Sequence, residues 1–456
     1  MAALFITEDS PVTFDPTAGA GSSRPPGDLA VQGVFLPGSP GTLWSQERQH
    51  PEITAAIAAF PPNSMKNMTT SPSQRALLQA LRQDRAGDNG AGLRAALVQV
   101  EDWEGLLKAA LDHGVVTSLY RRVAELCPEA APPLVLAEMQ RLYGVNARRN
   151  LRLTGELLQV LALLESHGIY AIPLKGPVLA QVAYGDLALR QFIDLDILLR
   201  PQDIDRARDL LEAAGYRRQH AFTPKQEQVR RKNFYDVSFL HPQRMKLEIH
   251  WRLLDHQGGG PEAAGAFRRR VQVSLAGKPV WSLAAEDMLL LLCHHATFHY
   301  WSRLGYVNDV ARLVQSQGNW DWPGMMRRAA RLGLRRRLRL GLLLAGDWLG
   351  APIPQEILAE AAGDPEVVAL QRQVQTNLWG ERGQEPGIVT RNLYHFKARE
   401  RLQDKLIYAW SRIGAPNEDD WDWLPLADRY YWLYYGIRPL RVATQGFVML
   451  LRDRVR

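Results

Sequence analysis

Cysteine is nearly absent from this chain: Cys127 and Cys293 are the only two in 456 residues, they lie far apart, and neither sits in a CxxC. That excludes a disulfide framework and a cysteine-based zinc site, and it makes a reducing cytoplasm the expected compartment. Long apolar runs are missing as well. No stretch of roughly twenty apolar residues is present to span a bilayer, and Met1 to Asp9 lacks the basic start and apolar core of a secretory signal, so a soluble protein without a transmembrane segment is expected. No repeat of fixed period is evident, which argues against a solenoid.

What is present is an ordinary globular composition, 46% hydrophobic and 23% charged, with a formal net charge of +7 that favours polyanionic partners such as nucleotides, nucleic acid or acidic lipid. The length exceeds one typical domain. Residues 1–70 are rich in Pro, Gly, Ser and Thr and read as a disordered extension, with Met65 and Met68 as alternative translation starts. Residues 71–168 read as a helical lead-in whose last helix runs from about Asn146 to His167 and ends at Gly168. Residues 169–283 carry the strand signals, and 284–456 return to helix.

Within 169–283 the predicted order is a strand at Tyr170–Leu174, a short helix at Pro177–Tyr184, a buried strand at Ile193–Leu199 and a helix at Pro201–Ala214 closed by Gly215. An antiparallel hairpin of Phe234–Leu240 and Met245–Trp251 follows, turning at His241-Pro242-Gln243. The fold class is therefore α+β: a small mixed sheet between helical flanks.

Chemistry concentrates on these strands. Asp194 and Asp196 alternate with aliphatic residues, so both carboxylates project from one face while their neighbours pack. Two adjacent buried carboxylates are costly unless a cation neutralises them. Oxygen-rich sites of this kind suit Mg²⁺, with Mn²⁺ as a substitute, bound together with substrate phosphates. Glu248, in Leu247-Glu248-Ile249-His250, supplies a third carboxylate if its strand is adjacent, and His250 shares its face. Upstream, Lys175-Gly176 follows a strand and opens a helix, where a glycine permits close approach to a triphosphate.

A glycine turn between strand and helix, Asp-x-Asp on the next strand and an acidic residue on a third resemble the nucleotidyltransferase superfamily related to DNA polymerase beta. More specifically, Leu174-Lys175-Gly176, Tyr184-Gly185-Asp186, Arg190, Asp194-Leu195-Asp196, Gly215-Tyr216 and Glu248-Ile249-His250-Trp251 resemble the bacterial family of uncharacterised nucleotidyltransferases. Cys293-His294-His295-Ala296, Val307-Asn308-Asp309 and Trp320-Asp321-Trp322 extend the likeness to about Gln140–Pro354. The resemblance implies transfer of a nucleoside monophosphate from an NTP to an acceptor, which the sequence leaves open among small molecule, peptide and RNA. It assigns Asp194, Asp196 and Glu248 to metal binding and catalysis, and Lys175, Gly176, Arg190 and His250 to nucleotide contacts.

Two departures from the superfamily pattern stand out: Pro177 follows Gly176 and removes an N–H, and the interval from Gly176 to Asp194 is long. Pro177 motivates one alternative, a nucleotide-binding scaffold without turnover; a toxin-like enzyme that modifies tRNA or protein is another, permitted by the basic run Arg335, Arg336, Arg337 and Arg339. Other clusters read as structural. His295 and His299 share a helical face, but Ala296 stands where a zincin needs glutamate, so packing near the acceptor pocket is preferred to zinc. Arg335, Arg336, Arg337 and Arg339 form a basic run that admits RNA, and the aromatic C-terminal segment Arg429–Arg456 admits contact with an anionic membrane surface; solvated or packed helices are the simpler reading of both.

Overall fold

The structure is a computed structural model that describes residues 71–82, 89–241, 246–254, 259–380 and 387–453. The extension 1–70, both alternative starts, most of the His241–Gln243 turn and the side chains of the last residues of the C-terminal helix lie outside that description.

The fold is α+β. Short helices between Pro72 and Leu126 precede one helix of 34 residues, Pro133–Ser166, which closes at Gly168 with φ +73°. This corrects the expected start at Asn146. Gly144 weakens local helix propensity by about 1 kcal/mol, yet Met139 and Asn146 on either side are both buried, and tertiary packing carries the helix through.

Five strands then form a mixed sheet in the order β1 (Ile172–Pro173), β2 (Asp194–Leu198), β5 (Lys246–His250), β4 (Asp236–Leu240) and β3 (Arg217–Arg218). β4 and β5 pair antiparallel, as the hairpin pattern predicts, while β2 and β5 run parallel. The sheet is two-faced because its strands alternate. Leu195, Ile197, Phe239, Leu247 and Ile249 turn to a core shared with the long helix and with Ile204–Ala213. The opposite face carries the charged residues.

A second hairpin, β6 (Val271–Leu275) and β7 (Lys278–Ser282), has no counterpart among the predicted strands. Its turn is Ala276-Gly277, both at positive φ, a two-residue hairpin geometry that normally announces itself with Asn-Gly. Helices follow from Ala285 onward, the first four being Ala285–Phe298, Leu304–Ser316, Trp322–Leu332 and Arg335–Leu349.

The lead-in and the later helices share one hydrophobic core, in which Leu77, Leu106 and Leu119 join Leu292, Val310 and Leu343. His113 fastens the two: its carbonyl accepts from Gly305 N at 2.9 Å and its ring meets Trp379 edge-on at 5.2 Å. Burial, aided by Arg303, lowers the His113 pKa to about 4. The folded protein therefore resists protonation that the unfolded chain accepts, so its contribution is present above pH about 6.5 and is lost as pH falls towards 4. Urea unfolding across that window should show stability declining by up to about 3 kcal/mol on this account, and His113→Gln should flatten the slope.

The aromatic C-terminal segment divides. Tyr431 and Tyr434 are buried with Val229 and Trp421, whereas Tyr430, Trp432 and Tyr435 stay exposed. Among the described residues no helix is long and apolar enough to cross a membrane.

Candidate active site

Register on the sheet's charged face brings the acidic residues together. Asp196 stands beside Glu248, and Asp194 beside Lys246, across the parallel β2–β5 pair. Across β4–β5, Ser238 faces Glu248 and Asp236 faces His250. Asp196 is 4% exposed, a placement a carboxylate tolerates only with charge compensation.

That compensation comes from three cations. Lys175 Nζ lies 3.1 Å from Asp196 Oδ2, Lys246 Nζ lies 2.6 Å from Glu248 Oε1, and His250 Nε2 bridges Asp196 Oδ1 at 3.1 Å and Glu248 Oε2 at 3.4 Å. Burial would raise the Asp196 pKa, but Lys175 and His250 hold it well below the ordinary carboxylate range. Burial would likewise depress His250, yet its bonds to Asp196 and Glu248 lift it to about 10, so it is an imidazolium at neutral pH. Asp236 is shifted the other way: burial and the neighbouring Glu248 raise its pKa.

A metal fits here. Ligand atoms of Asp196, Glu248 and His250 lie within 4.8 Å of one another, the one such group among the described residues; the two carboxylates can take an ion as they stand, the protonated His250 cannot, and Asp194 projects from the same face. The donor set is mostly carboxylate oxygen, which matches a hard divalent ion. The His295–His299 pair is not such a group; the two rings meet edge-on at 4.4 Å and pack against Tyr306.

The glycine turn sits beside this face. Gly176 has φ +56°, and a Cβ there would meet nothing closer than 3.7 Å, so glycine is needed for backbone shape and not for space. Gly176→Ala should therefore cost about 1–2 kcal/mol of stability through a left-handed alanine, measurable in urea. The helix that it opens runs from Gly176 to Tyr184, with a π-helical second half, and ends at Gly185.

The long interval before Asp194 is a pinned loop. Asn150 Nδ2 donates to the carbonyls of Leu187 and Arg190 at 2.6 and 2.7 Å, and Asn146 Nδ2 donates to that of Ala188 at 2.8 Å. This presents Arg190 to Asp309 in a two-pronged ion pair, both contacts 2.9 Å, which Tyr184 joins by donating its hydroxyl to Asp309 Oδ1 at 2.7 Å. Arg190 is thus tied to the helical body, with Asp194 close enough to act on its charge. The family resemblance assigns Arg190 to the nucleotide; Asp309, which lies 119 positions away, enters it only within Val307-Asn308-Asp309, with no role and no link to Arg190.

Sequence reasoning also misses Lys246, Asp236, Ser238 and the Lys175–His295 contact, 3.5 Å between Nζ and Nε2. Period-two alternation marks Lys246 and Asp236 once the strands are placed; the helical spacing marks His295 with His299, but nothing local places it beside Lys175. The arginine run is taken up internally: Arg337 bonds His294, Arg336 the carbonyls of Lys397 and Arg399, and Arg339 pairs with Glu360 and Asp364.

The model of one protein family, described as uncharacterised nucleotidyltransferase, matches residues 99–350, more than half of the chain. The chain belongs to the uncharacterised nucleotidyltransferase family. No curated protein matches it. Among solved structures it is similar to the lincosamide antibiotic adenylyltransferase LnuA with lincomycin bound, at 18% identity and TM-score 0.25, over 36% of this chain and 97% of that one. ANT(2")-Ia in complex with adenylyl-2"-tobramycin is similar at 14% identity and TM-score 0.24, over 49% and 96%. An antigenic nucleotidyltransferase-like protein from Paracoccidioides brasiliensis is similar at 12% identity and TM-score 0.30, over 50% and 94%. None of the three is close enough to lend a substrate to this nucleotidyltransferase.

Proposed function

We propose that the charged face of the sheet transfers a nucleoside monophosphate from an NTP to an acceptor nucleophile, with dependence on Mg²⁺ or Mn²⁺. The observation that carries this reading is the side-by-side placement of Asp196 and Glu248 on parallel strands, with Asp194 on the same face and the Lys175-Gly176 turn next to them. A bound divalent ion supplies positive charge to the triphosphate and lowers the pKa of the attacking group.

The protein's own residues do the rest. Asp194, Asp196 and Glu248 hold the ion; Gly176 lets the backbone approach the phosphates, and Lys175 offers them a cation. The acceptor's oxygen forms a bond to the α-phosphorus as the bond to the β-phosphate oxygen breaks, and pyrophosphate departs with that electron pair. The acceptor's proton passes to Glu248 or to water. The helix Ala285–Phe298, carrying His295 beside Lys175, forms the wall on which an acceptor is selected.

A second reading draws on the charge balance already present: Lys175 and His250 neutralise Asp196 without any ion, as expected of a protein that binds nucleotide and no longer turns it over. Incubation with each α-labelled NTP, Mg²⁺ or Mn²⁺ and host lysate separates the two. Transfer of label by the wild type and not by an Asp194→Ala, Asp196→Ala double variant supports the enzyme. Nucleotide binding with no label transferred to any lysate component, and no pyrophosphate released, favours the scaffold.

A further inference from the structure

We propose that Lys175 is the exchangeable cation of this site: its ammonium holds Asp196 in the ion-free protein, gives way when a divalent ion arrives, and turns to the triphosphate. The proposal rests on the metal-binding reading above and adds to it an order of events.

Charge balance comes first. Lys175 and Lys246 already pair with Asp196 and Glu248, and His250 bridges the same two carboxylates, so an entering dication meets carboxylate oxygens that are already taken. Like charges a few ångströms apart in a buried site repel strongly, so one resident cation has to leave. Of the three, Lys175 is the one placed to do so. His250 is held by two carboxylates, and Lys246 lies on the sheet itself with its bond to Glu248. Asp196 Oδ1 is already occupied by His250, which leaves Oδ2, the oxygen that Lys175 covers, as the one an ion needs.

Reach comes second. Lys175 immediately precedes Gly176, so its flexible four-carbon stem starts from the turn assigned to the phosphates and swings to either side without backbone movement. His295 offers a second acceptor. His295 Nε2 is 3.5 Å from Nζ, and burial together with Lys175 itself keeps that imidazole neutral. A lysine that served only phosphate would leave metal affinity unchanged when removed, and a purely structural one would lower both affinities. An exchangeable cation gives effects of opposite sign on the two ligands.

The test uses the full chain stripped with EDTA, in wild-type, Lys175→Met and Lys175→Arg forms, with circular dichroism to confirm folding. Mn²⁺ alone is titrated by electron paramagnetic resonance, then inorganic triphosphate at saturating Mn²⁺ by calorimetry. Lys175→Met should bind Mn²⁺ at least about tenfold tighter and triphosphate about tenfold weaker. Lys175→Arg, which keeps the charge, should stay near wild type for Mn²⁺. If Lys175→Met binds Mn²⁺ no tighter than wild type, or Lys175→Arg gains as much as Lys175→Met, the proposal is overturned while the metal site stands. Should all three forms bind Mn²⁺ no better than Asp196→Asn, the metal site itself is overturned and the exchange with it. Lys175→Gln repeats the charge removal if Lys175→Met does not fold.

Discussion

Asp196→Asn should reduce nucleotidyl transfer at least about a thousandfold, a loss of about 4 kcal/mol of transition-state stabilisation. The residue is buried, stands beside Glu248 in the β2–β5 register and belongs to the compact ligand group, so amide for carboxylate removes a charge from the centre of the site. Because Asp196 also anchors Lys175 and His250, its loss alone confounds chemistry with local structure. Asp194→Asn separates them. Asp194 is less buried and pairs in register with Lys246 at the strand's start, and it should show a comparable fall with the fold intact by circular dichroism. Label transfer to whichever acceptor the wild type modifies is the readout. Activity within about tenfold of wild type in both variants would remove these carboxylates from the mechanism.

The largest effect on stability is expected at Asp309. Removing it by Asp309→Ala leaves the Arg190 guanidinium buried without its two-pronged partner and takes the acceptor from the Tyr184 hydroxyl. The side chains of the pair are only 11% and 6% exposed, so solvent screening is weak. Breaking such a pair from one side costs about 3–5 kcal/mol, whereas replacing both partners by apolar groups costs far less. Urea unfolding of Asp309→Ala, Arg190→Met and the double variant should show the double variant recovering most of the loss. Additive single effects would mean that the pair does not join the sheet's loop to the helical body. If Arg190 instead serves the triphosphate, Arg190→Met should weaken NTP binding while Asp309→Ala leaves stability untouched.

What is legible in the sequence is what depends on short-range period. The alternation in Ile193-Asp194-Leu195-Asp196-Ile197 is enough by itself to put both aspartates on one face, and the same rule puts Glu248 and His250 together. Gly168 and Gly215 mark helix ends at positive φ for the same local reason. That Glu248 lies beside Asp196 is a different kind of fact: β5 reaches β2 only after β3 and β4 have been laid on its far edge, and no local period encodes that order. Lys175 and His295, or Arg190 and Asp309, meet across more than a hundred residues. The β6–β7 hairpin is hidden because Ala276 adopts a left-handed turn conformation that its residue type does not advertise. The helical flanks read as separate stretches along the chain, yet their leucines close a single core.

The most direct test of metal-dependent transfer on this sheet is a crystal structure of the protein soaked with Mn²⁺ and a non-hydrolysable NTP, with data collected at the manganese edge. Anomalous density is expected against Asp194, Asp196 and Glu248, with the triphosphate running towards Gly176 and Lys175. Manganese bound away from the sheet's charged face, or a nucleotide seated elsewhere with Asp196 still closed by Lys175, would contradict it.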